Sequence, residues 1–251
     1  MVAPRWRPTW EFRLGLLLVL LSVVIYTTKV YVLDDVEGTY DYIFNSLGFL
    51  PLNVLIVTLI LNRLLAFRAR RERLEKLNMV IGIFFSEAGT ALLTWLSDHD
   101  PGLEAVRRDL VVRDDWLGED FARVRERLAQ RQYRVAVDRA DLVPLKAFLV
   151  EKREFFLRLL ENPTLLEHEE FTGVLRAVFH LTEELEHRED LAHIPGSDLA
   201  HLTGDADRVY GLLVSRWMDY MHYLKDNYPY LFSLAMRTNP FDRTASPVVG
   251  E

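Results

Sequence analysis

Two long apolar stretches dominate the pattern of hydrophobic and polar positions in the first third of the chain. Residues 14–33 contain a single charge, Lys29, and residues 42–62 contain only uncharged polar interruptions. A helix rises about 1.5 Å per residue, so about 20 residues cover the roughly 30 Å hydrocarbon layer of a bilayer. The pattern predicts two transmembrane helices, at about 14–33 and 42–62, that form a hairpin.

The charged residues around these stretches predict their orientation. No small-x-small cleavage site follows residues 14–33, which favours an uncleaved anchor over a signal peptide. The loop between the stretches carries only acidic charges, among them Asp34 and Asp35. The basic residues flank the other ends: Arg5, Arg7 and Arg13 before the first stretch, and Arg63, Arg68, Arg70, Arg71, Arg73 and Lys76 after the second. Basic residues favour the cytoplasmic side, so we expect a multi-pass inner (plasma) membrane protein with both termini in the cytoplasm. The second basic group should also attract anionic lipid headgroups.

Three residues inside the apolar stretches are candidates for an intramembrane role. Ser22 lies near the middle of the first stretch, and Pro51 and Asn53 lie near the middle of the second. Proline removes a backbone donor and predicts a kink, and an intramembrane asparagine needs a hydrogen-bond partner. That partner is either Ser22 or another helix, in which case Asn53 would support self-association.

Apolar residues continue at helical spacing after the second stretch, without a helix breaker. The spacing alternates between three and four residues, with only Arg70 out of place, along Phe67, Leu74, Leu77, Ile81, Phe84, Ala88, Ala91 and Trp95. Residues 79–96 are apolar nearly all round, which favours burial in a helical domain over a two-stranded coiled coil. A third span over 79–96, with Glu87 as its single charge, stays open as an alternative and would place the acidic domain outside.

Turn and cap signals divide the rest of the chain into helices. Residues 98–102 read as a turn, and residues 132–139 read as a linker with room for a short strand. The predicted N-terminal caps are Asp115, Asp141 and the pair Thr164 and Glu167. The predicted helices run through Phe121 to Leu128, from Leu142 to Glu161, through Phe171 to Leu185, from Val209 to Asp226, and from Pro229 to Arg237.

Composition and charge narrow the classes of function. The 251 residues are 50% hydrophobic and 27% charged, which excludes a disordered chain. With no cysteine, the chain cannot form disulfides, thiolate nucleophiles, cysteine-ligated zinc or iron–sulfur sites. Residues 1–76 hold 10 basic and 7 acidic side chains, and residues 77–251 hold 20 basic and 30 acidic ones. An acidic domain without a basic stripe disfavours nucleic-acid binding.

The best candidate chemistry is a set of histidines and glutamates on one helix. Phosphate-binding loops, nucleophile elbows and His-Glu-x-x-His motifs are absent, so no cofactor is predicted. Spacings of three, four and seven place His180, Glu183, Glu184 and His187 on one helical face. Glu184-x-x-His187 has the form used in di-iron bundles, and a metal site is one interpretation. A solvated charged face is the other, because the apolar stripe of this helix lies opposite.

Eight aromatic residues fall within 32 positions near the C-terminal end. They are Tyr210, Trp217, Tyr220, Tyr223, Tyr228, Tyr230, Phe232 and Phe241. Such a cluster is typical of a core, and amphipathic aromatics are also used at peptide-binding and oligomer surfaces. Both interpretations stay open from the sequence.

Three stretches carry a resemblance to a known family: residues 49–60 (FLPLNVLIVTLI), 72–82 (ERLEKLNMVIG) and 84–90 (FFSEAGT). Together they resemble uncharacterised prokaryotic membrane proteins with two N-terminal transmembrane helices and a helical cytoplasmic domain. The resemblance is clearest over residues 45–95 and extends weakly to residues 228–232. It implies an architecture and no activity.

These observations predict an all-α protein in which a two-helix transmembrane hairpin precedes a helical cytoplasmic bundle. The anchor covers residues 1–67, a juxtamembrane helix 68–97, the helical domain 98–243 and a tail 244–251. The predicted function is an interaction or regulatory scaffold at the cytoplasmic face, with a protein partner and homo-oligomerisation. The alternatives are an oligomeric two-span channel or transport component, and a metal-binding helical-bundle enzyme that uses Glu184 and His187.

Overall fold

All regular elements that the structure describes are helices. The computed structural model describes residues 10–33, 36–139, 141–166 and 168–248, and these ranges contain no strand. The helices are α1 Trp10–Leu33, α2 Val36–Phe84, α3 Thr90–Asp98, α4 Arg107–Leu110, α5 Gly118–Ala129, α6 Leu142–Glu151, α7 Arg153–Leu160, α8 Pro163–Leu166, α9 Glu169–Glu186, α10 Gly196–Asn227 and α11 Pro229–Arg237. The all-α prediction is confirmed, and residues 132–139 form an irregular linker.

The chain divides into two compact units, residues 1–69 and 70–251. The first unit contains α1 and the N-terminal part of α2. Thr39 is the one buried side chain among those described between residues 16 and 69, and the leucines, valines and isoleucines around it are exposed. This unit therefore has no hydrophobic core of its own in the part that the structure describes.

One helical stretch of the described residues is long and apolar enough to cross a membrane. It lies within Glu37–Asp98, and its apolar window has no buried residue. The first helix contributes a shorter apolar stretch, Leu16–Val32. Length and composition therefore allow one span among the described residues, and the predicted hairpin of two spans is not supported. The predicted loop residues Asp34 and Asp35, together with Arg5 and Arg7, lie outside the described ranges.

The second apolar stretch and the predicted juxtamembrane helix form a single element. Helix α2 runs for 49 residues and passes through Pro51 without interruption. No further proline follows until Pro101, so nothing in the local sequence ends the helix after the apolar stretch.

A five-residue π-helical turn, Phe85–Gly89, separates α2 from α3. Gly89 ends the turn against the rings of Phe84 and Phe85. A Cβ atom at position 89 would lie 2.6 Å from the Phe84 ring and 2.7 Å from the Phe85 ring. Real Cβ atoms are not found so close to other atoms, so glycine is the residue that this packing accepts.

The turn places its aromatic residues at the centre of the second unit. The Phe84 ring lies edge-on to the Phe171 ring of α9 at 5.3 Å, and the Phe85 ring lies edge-on to Trp217 of α10 at 5.3 Å. Both phenylalanines are fully buried, as are Leu92 and Leu96 of the following helix. One face of residues 79–96 thus lies in the core, whereas Met79 and Ile83 of the same segment remain exposed. The burial of this face contradicts the third-span alternative.

The predicted turn at residues 98–102 is confirmed and contains a buried ion pair. The backbone N–H of Gly102 donates to Asp100 Oδ1 at 2.8 Å. Asp100 Oδ2 accepts from Arg131, and also from the Tyr210 hydroxyl at 3.1 Å. Burial and the Asp100 carboxylate raise the pKa of Tyr210 above its ordinary value. The turn is thereby tied to the linker and to α10.

The predicted helix starts are less accurate than the helices themselves. Helix α5 begins at Gly118, where Asp120 accepts from the Leu117 backbone N–H at 2.8 Å, so Asp115 is not its cap. Asp141 is the N-cap residue of α6, which begins at Leu142 as predicted, but its carboxylate accepts from the Asp138 N–H at 2.7 Å and forms no cap hydrogen bond. The predicted helix 142–161 is divided at Lys152, which has a ψ of 1°.

Two further predictions concern α9 and α11. The capping box with Thr164 involves Glu167, which is outside the described ranges. The observed cap of α9 is His168, whose ring accepts from the Phe171 N–H at 3.4 Å. Pro229 opens α11 at its first turn, as predicted.

Candidate functional site

The second unit contains a groove of about 780 Å³. One wall is the last part of α2, from Glu72, together with the π-turn and the start of α3. The other wall is the C-terminal half of α10 with α11. The most prominent lining residues are Met79, Ile83, Phe85, Trp217, Tyr220, Tyr223, Tyr228 and Leu231.

Aromatic rings form the floor of the groove. The rings of Phe85 and Tyr220 stack at 5.2 Å with 17° between their planes, and Trp217 lies edge-on to Phe85. Burial raises the pKa of Tyr220, whose ring lies over Gly82. A Cβ at position 82 would be 3.0 Å from the Tyr220 hydroxyl, so the missing side chain lets this ring approach α2 closely.

The floor carries a buried polar group for which the described residues supply no partner. The Trp217 side chain is 1% exposed, and its indole Nε1 has no hydrogen-bond partner in the part of the chain that the structure describes. Buried tryptophan N–H groups usually have an acceptor.

The rim of the groove is charged and its mouth is apolar. Met79 and Ile83 are 62% and 48% exposed. The charged residues that line it are Glu72, Glu75, Lys76 and Glu87, a net excess of acidic side chains. Exposed apolar side chains next to an aromatic floor are typical of an interaction surface.

The aromatic-rich C-terminal segment therefore contains both a core and a surface. Tyr210 and Trp217 are fully buried, whereas Tyr220, Tyr223 and Tyr228 line the groove. The two interpretations of the sequence each apply to part of the segment. Helix α10 allows both because its 32 residues present one face to α9 and another to α2 and α11.

A second polar site lies between α9 and α10. His180 and Glu184 are four residues apart on α9, and His201 and Asp205 are four residues apart on α10. The Nε2 atoms of His180 and His201 are each 3.5 Å from Asp205 Oδ2. The same two atoms are 3.9 Å and 3.7 Å from the Glu184 carboxylate.

The carboxylates of this second site differ in their other partners. Arg188 Nη1 donates to Glu184 Oε2 at 2.7 Å, and this bond lowers the pKa of Glu184. Arg208 lies 3.3 Å from Asp205 Oδ1. Asp205 is 4% exposed, and its Oδ2 has no hydrogen-bond partner among the described residues.

The structure gives two of the predicted metal-ligating residues other partners. The Glu183 carboxylate faces Arg153 at 4.0 Å, and the His187 ring nitrogen Nδ1 lies 2.7 Å from the Glu183 backbone carbonyl. His180 and Glu184 meet α10 instead. Among residues 10–33, 36–139, 141–166 and 168–248, no group of three or more His, Asp or Glu side chains is placed so that it could hold a metal ion.

Sequence reasoning missed His201 and Asp205. Their spacing of four residues is the same as that of His180 and Glu184, and this repeated spacing was the available signal. Residues 196–208 contain two glycines and several polar residues, so no helix was predicted there. Without a helix, the spacing of His201 and Asp205 did not indicate a shared face.

The predicted intramembrane residues are exposed within the first unit. Ser22, Pro51 and Asn53 all lie on the surface of their helices. No hydrogen bond joins Ser22 to Asn53 in the part of the unit that the structure describes. The rings of Tyr26 and Tyr42, 6.2 Å apart, are one contact between α1 and α2.

The predicted basic group is also fully exposed. Its members follow one another along α2: Arg63, Arg68, Arg70, Arg71, Arg73 and Lys76. Arg71 donates to Glu75, one turn further on, at 3.1 Å. Exposed pairs of this kind contribute little to stability.

Comparison with known proteins identifies relatives but no activity. A family model described as the N-terminal helical domain of MJ1433 matches residues 5–65, and a model described as the C-terminal helical domain of the uncharacterized protein MJ1433 matches residues 73–237. The chain is 42% identical to the uncharacterized protein MJ1433 of Methanocaldococcus jannaschii over 229 residues, which is 91% of this chain and 92% of that protein. No solved structure matches. The boundary between the two compact units, at residues 69 and 70, lies in the gap between the two family models, and neither description mentions a membrane.

Proposed function

This chain belongs to the MJ1433 family of helical proteins, and from that premise we propose that it is a membrane-anchored binding module. In this proposal the first unit holds the protein in a bilayer through two spans, at about 14–33 and 42–62. The second unit presents its aromatic groove to a protein partner at the cytoplasmic face.

The observation that carries the anchor is the exposure of apolar side chains in the first unit. Between residues 16 and 69 nearly every described leucine, isoleucine, valine and phenylalanine is exposed, and no core covers them. A surface of this kind drives association in water, whereas it is the ordinary surface of a helix in lipid. The basic residues after the second apolar stretch favour a cytoplasmic second unit.

Membrane extraction tests the anchor. The full chain is expected in the membrane fraction, to stay there in alkaline carbonate, and to dissolve in mild detergent. A peripheral protein would be released by carbonate. Recovery of the full chain as a monodisperse species in buffer without detergent would contradict the anchor.

The groove fits an amphipathic helix of a protein partner better than a compact ligand. The wall from Glu72 to Thr90 extends roughly 27 Å if each residue rises about 1.5 Å, which is about five helical turns. An aromatic floor with a charged rim is suited to a helix that buries its apolar face in the groove. Since the rim has an excess of glutamates, the partner helix should be basic on its polar side.

Site-specific photo-crosslinking tests the groove in native membranes. A crosslinker at Met79 should give one defined protein adduct, and Ile83→Arg should remove it because the mouth of the groove would be blocked by a charge. Val143, which is exposed on α6, is the matched control position. Equal adducts from positions 79 and 143, or an adduct that persists in Ile83→Arg, would contradict the proposed docking site.

Asn53 supports self-association of the anchor. It is exposed, and among the described residues it does not bond to Ser22, so a second copy could supply its partner in the bilayer. The channel or transport alternative depends on such an oligomer, since two spans from one chain cannot enclose an aqueous path.

A further inference from the structure

We propose that the second unit binds a small molecule with a phosphate group, in a cavity between α3, α4 and the segment that follows α11. The cavity has a volume of about 510 Å³, which is within the range of sites for small molecules. Three arginines line it from three elements: Arg107 from α4, Arg237 from α11 and Arg243 from the segment after α11. The cavity shares only Thr238 with the aromatic groove, and the proposal does not depend on the anchor or on the partner helix.

The charge of this cavity differs from that of the domain around it. Residues 77–251 hold 30 acidic and 20 basic side chains. The lining of the cavity instead has three arginines and two carboxylates, those of Asp98 and Asp242. Asp242 Oδ1 already accepts from the Thr244 backbone N–H at 2.9 Å and from the Thr244 hydroxyl at 2.7 Å. The lining therefore favours an anion, although the domain as a whole is acidic.

Arg107 forms part of the wall, because the protein itself occupies its guanidinium. Its Nη1 donates to the Phe241 carbonyl at 2.7 Å, and its Nη2 lies 2.9 Å from Glu104 Oε1. The Arg107 side chain is 17% exposed. Glu104 thus balances the charge of Arg107, and the two other arginines are the ones that can hold an anion.

Arg237 and Arg243 have few partners of their own. Arg237 donates to the Pro247 carbonyl through Nη1, and no carboxylate of the described residues pairs with it. Arg243 lies 4.0 Å from Glu104, which already pairs with Arg107. The last turn of a helix favours a basic residue, which accounts for Arg237 but not for Arg243 in the irregular segment. Arginine pairs with phosphate through two parallel hydrogen bonds, so the two side chains suit a phosphate group.

Buried polar contacts hold the walls of the cavity in place. Asn239 is 2% exposed, its Nδ2 donates to the Leu110 carbonyl at 3.1 Å, and its Oδ1 accepts from the Phe241 N–H at 2.9 Å. The Ser97 hydroxyl donates to the Pro240 carbonyl at 3.3 Å. These contacts join the segment after α11 to α4 and α3. A cavity with fixed walls loses little conformational entropy when a ligand binds.

The remaining carboxylate indicates what else the ligand should carry. Asp98 is exposed on the lining and can accept a hydrogen bond from a hydroxyl group. A phosphorylated alcohol can therefore contact the arginines and Asp98 together, whereas inorganic phosphate contacts the arginines alone. The expected ligand class is a small phosphorylated molecule with free hydroxyl groups.

Calorimetric titration of the full chain in mild detergent and phosphate-free buffer tests the site. The probes are glycerol 3-phosphate and inorganic phosphate at constant ionic strength, with glycerol as the uncharged control. We expect one glycerol 3-phosphate per chain, weaker binding of inorganic phosphate and no binding of glycerol. Arg237→Gln with Arg243→Gln should weaken the binding of both phosphates by about tenfold or more, because each lost hydrogen bond involves two charged groups.

A second pair of arginines gives the matched control. Arg113→Gln with Arg123→Gln removes the same charge from exposed positions outside the cavity and should leave the affinity unchanged. The midpoint of thermal unfolding without phosphate shows whether each variant is folded. If the first double variant does not fold, Arg243→Gln alone, at a side chain that is 71% exposed, should still weaken binding. Binding of neither phosphate to the unaltered chain, or equal affinity in the cavity variants and the control, would overturn the proposal.

Discussion

We predict that replacing glycine by alanine changes the free energy of unfolding in opposite directions at two positions of the second unit. Gly89 ends the π-turn against two phenylalanine rings, whereas Gly204 lies inside α10, where an added Cβ would meet nothing within 4 Å. Both glycines have a helical backbone conformation. The comparison therefore isolates the effect of packing from that of helix propensity.

The expected magnitudes follow from these surroundings. Alanine stabilises an exposed helix interior by about 0.5–1 kcal/mol relative to glycine, so Gly204→Ala should gain that amount. At position 89 the same gain is opposed by overpacking, which costs about 1–3 kcal/mol. With contacts of 2.6 and 2.7 Å to rings that the core holds in place, a net loss of roughly 1–2 kcal/mol is expected.

Gly82→Ala gives an intermediate test. Its Cβ would be 3.0 Å from the hydroxyl at the end of the Tyr220 side chain, and that ring borders the open groove. Because the ring can move slightly, the change should be close to neutral. The predicted order of stability is Gly204→Ala, then Gly82→Ala, then Gly89→Ala.

Urea unfolding of the full chain in mild detergent, followed by tryptophan fluorescence, measures the free energies. Trp217 lies in the core beside Phe85 and reports on the region that contains Gly89 and Gly82. If Gly89→Ala is as stable as Gly204→Ala, the close packing of Phe84 and Phe85 around the π-turn is not present in solution.

Three further predictions concern orientation, the lipid surface and the buried ion pair. A fluorescent protein fused after Glu251 should fluoresce and an alkaline phosphatase fusion should stay inactive; the reverse would place the C-terminus outside. Four exposed arginines, Arg68, Arg70, Arg71 and Arg73, should strengthen binding to anionic vesicles by up to about 1 kcal/mol for each well-placed residue. Changing all four to glutamine should therefore weaken binding to anionic vesicles in a flotation assay, while binding to neutral vesicles shows no difference. Arg131→Met should lower the free energy of unfolding by about 3–5 kcal/mol, because it leaves Asp100 buried without its cation. Adding Asp100→Asn should recover part of that loss. Equal losses in the single and the double variant would show that the two residues are not coupled.

Only part of the polar cluster between α9 and α10, and only part of the groove, could be predicted from the sequence. Local spacing brought His180 and Glu184 to one face of a helix, since that depends on helical periodicity alone. It could not select between His187 on the same helix and His201 on another. That choice depends on how α9 packs against α10, which brings together residues 21 positions apart.

The sequence by itself determined the features that depend on neighbours along the chain. The all-α class, the apolar stretches, the buried stripe at Leu77, Ile81 and Phe84, and the start of α11 at Pro229 all follow from periodicity, capping and the properties of proline. Helix starts such as that of α5 were less predictable, because several nearby residues are competent caps and packing selects among them.

Only the tertiary structure decided which faces are covered. Residues 79–96 have the composition of either a span or a core helix, and their packing against Phe171 and Trp217 assigned them to the core. Tyr210 and Tyr220 are ten positions apart in one aromatic-rich helix, yet one is buried and the other lines a groove. Burial depends on contacts between distant segments, and the free energy of those contacts, rather than local pattern, decides which apolar surface meets protein.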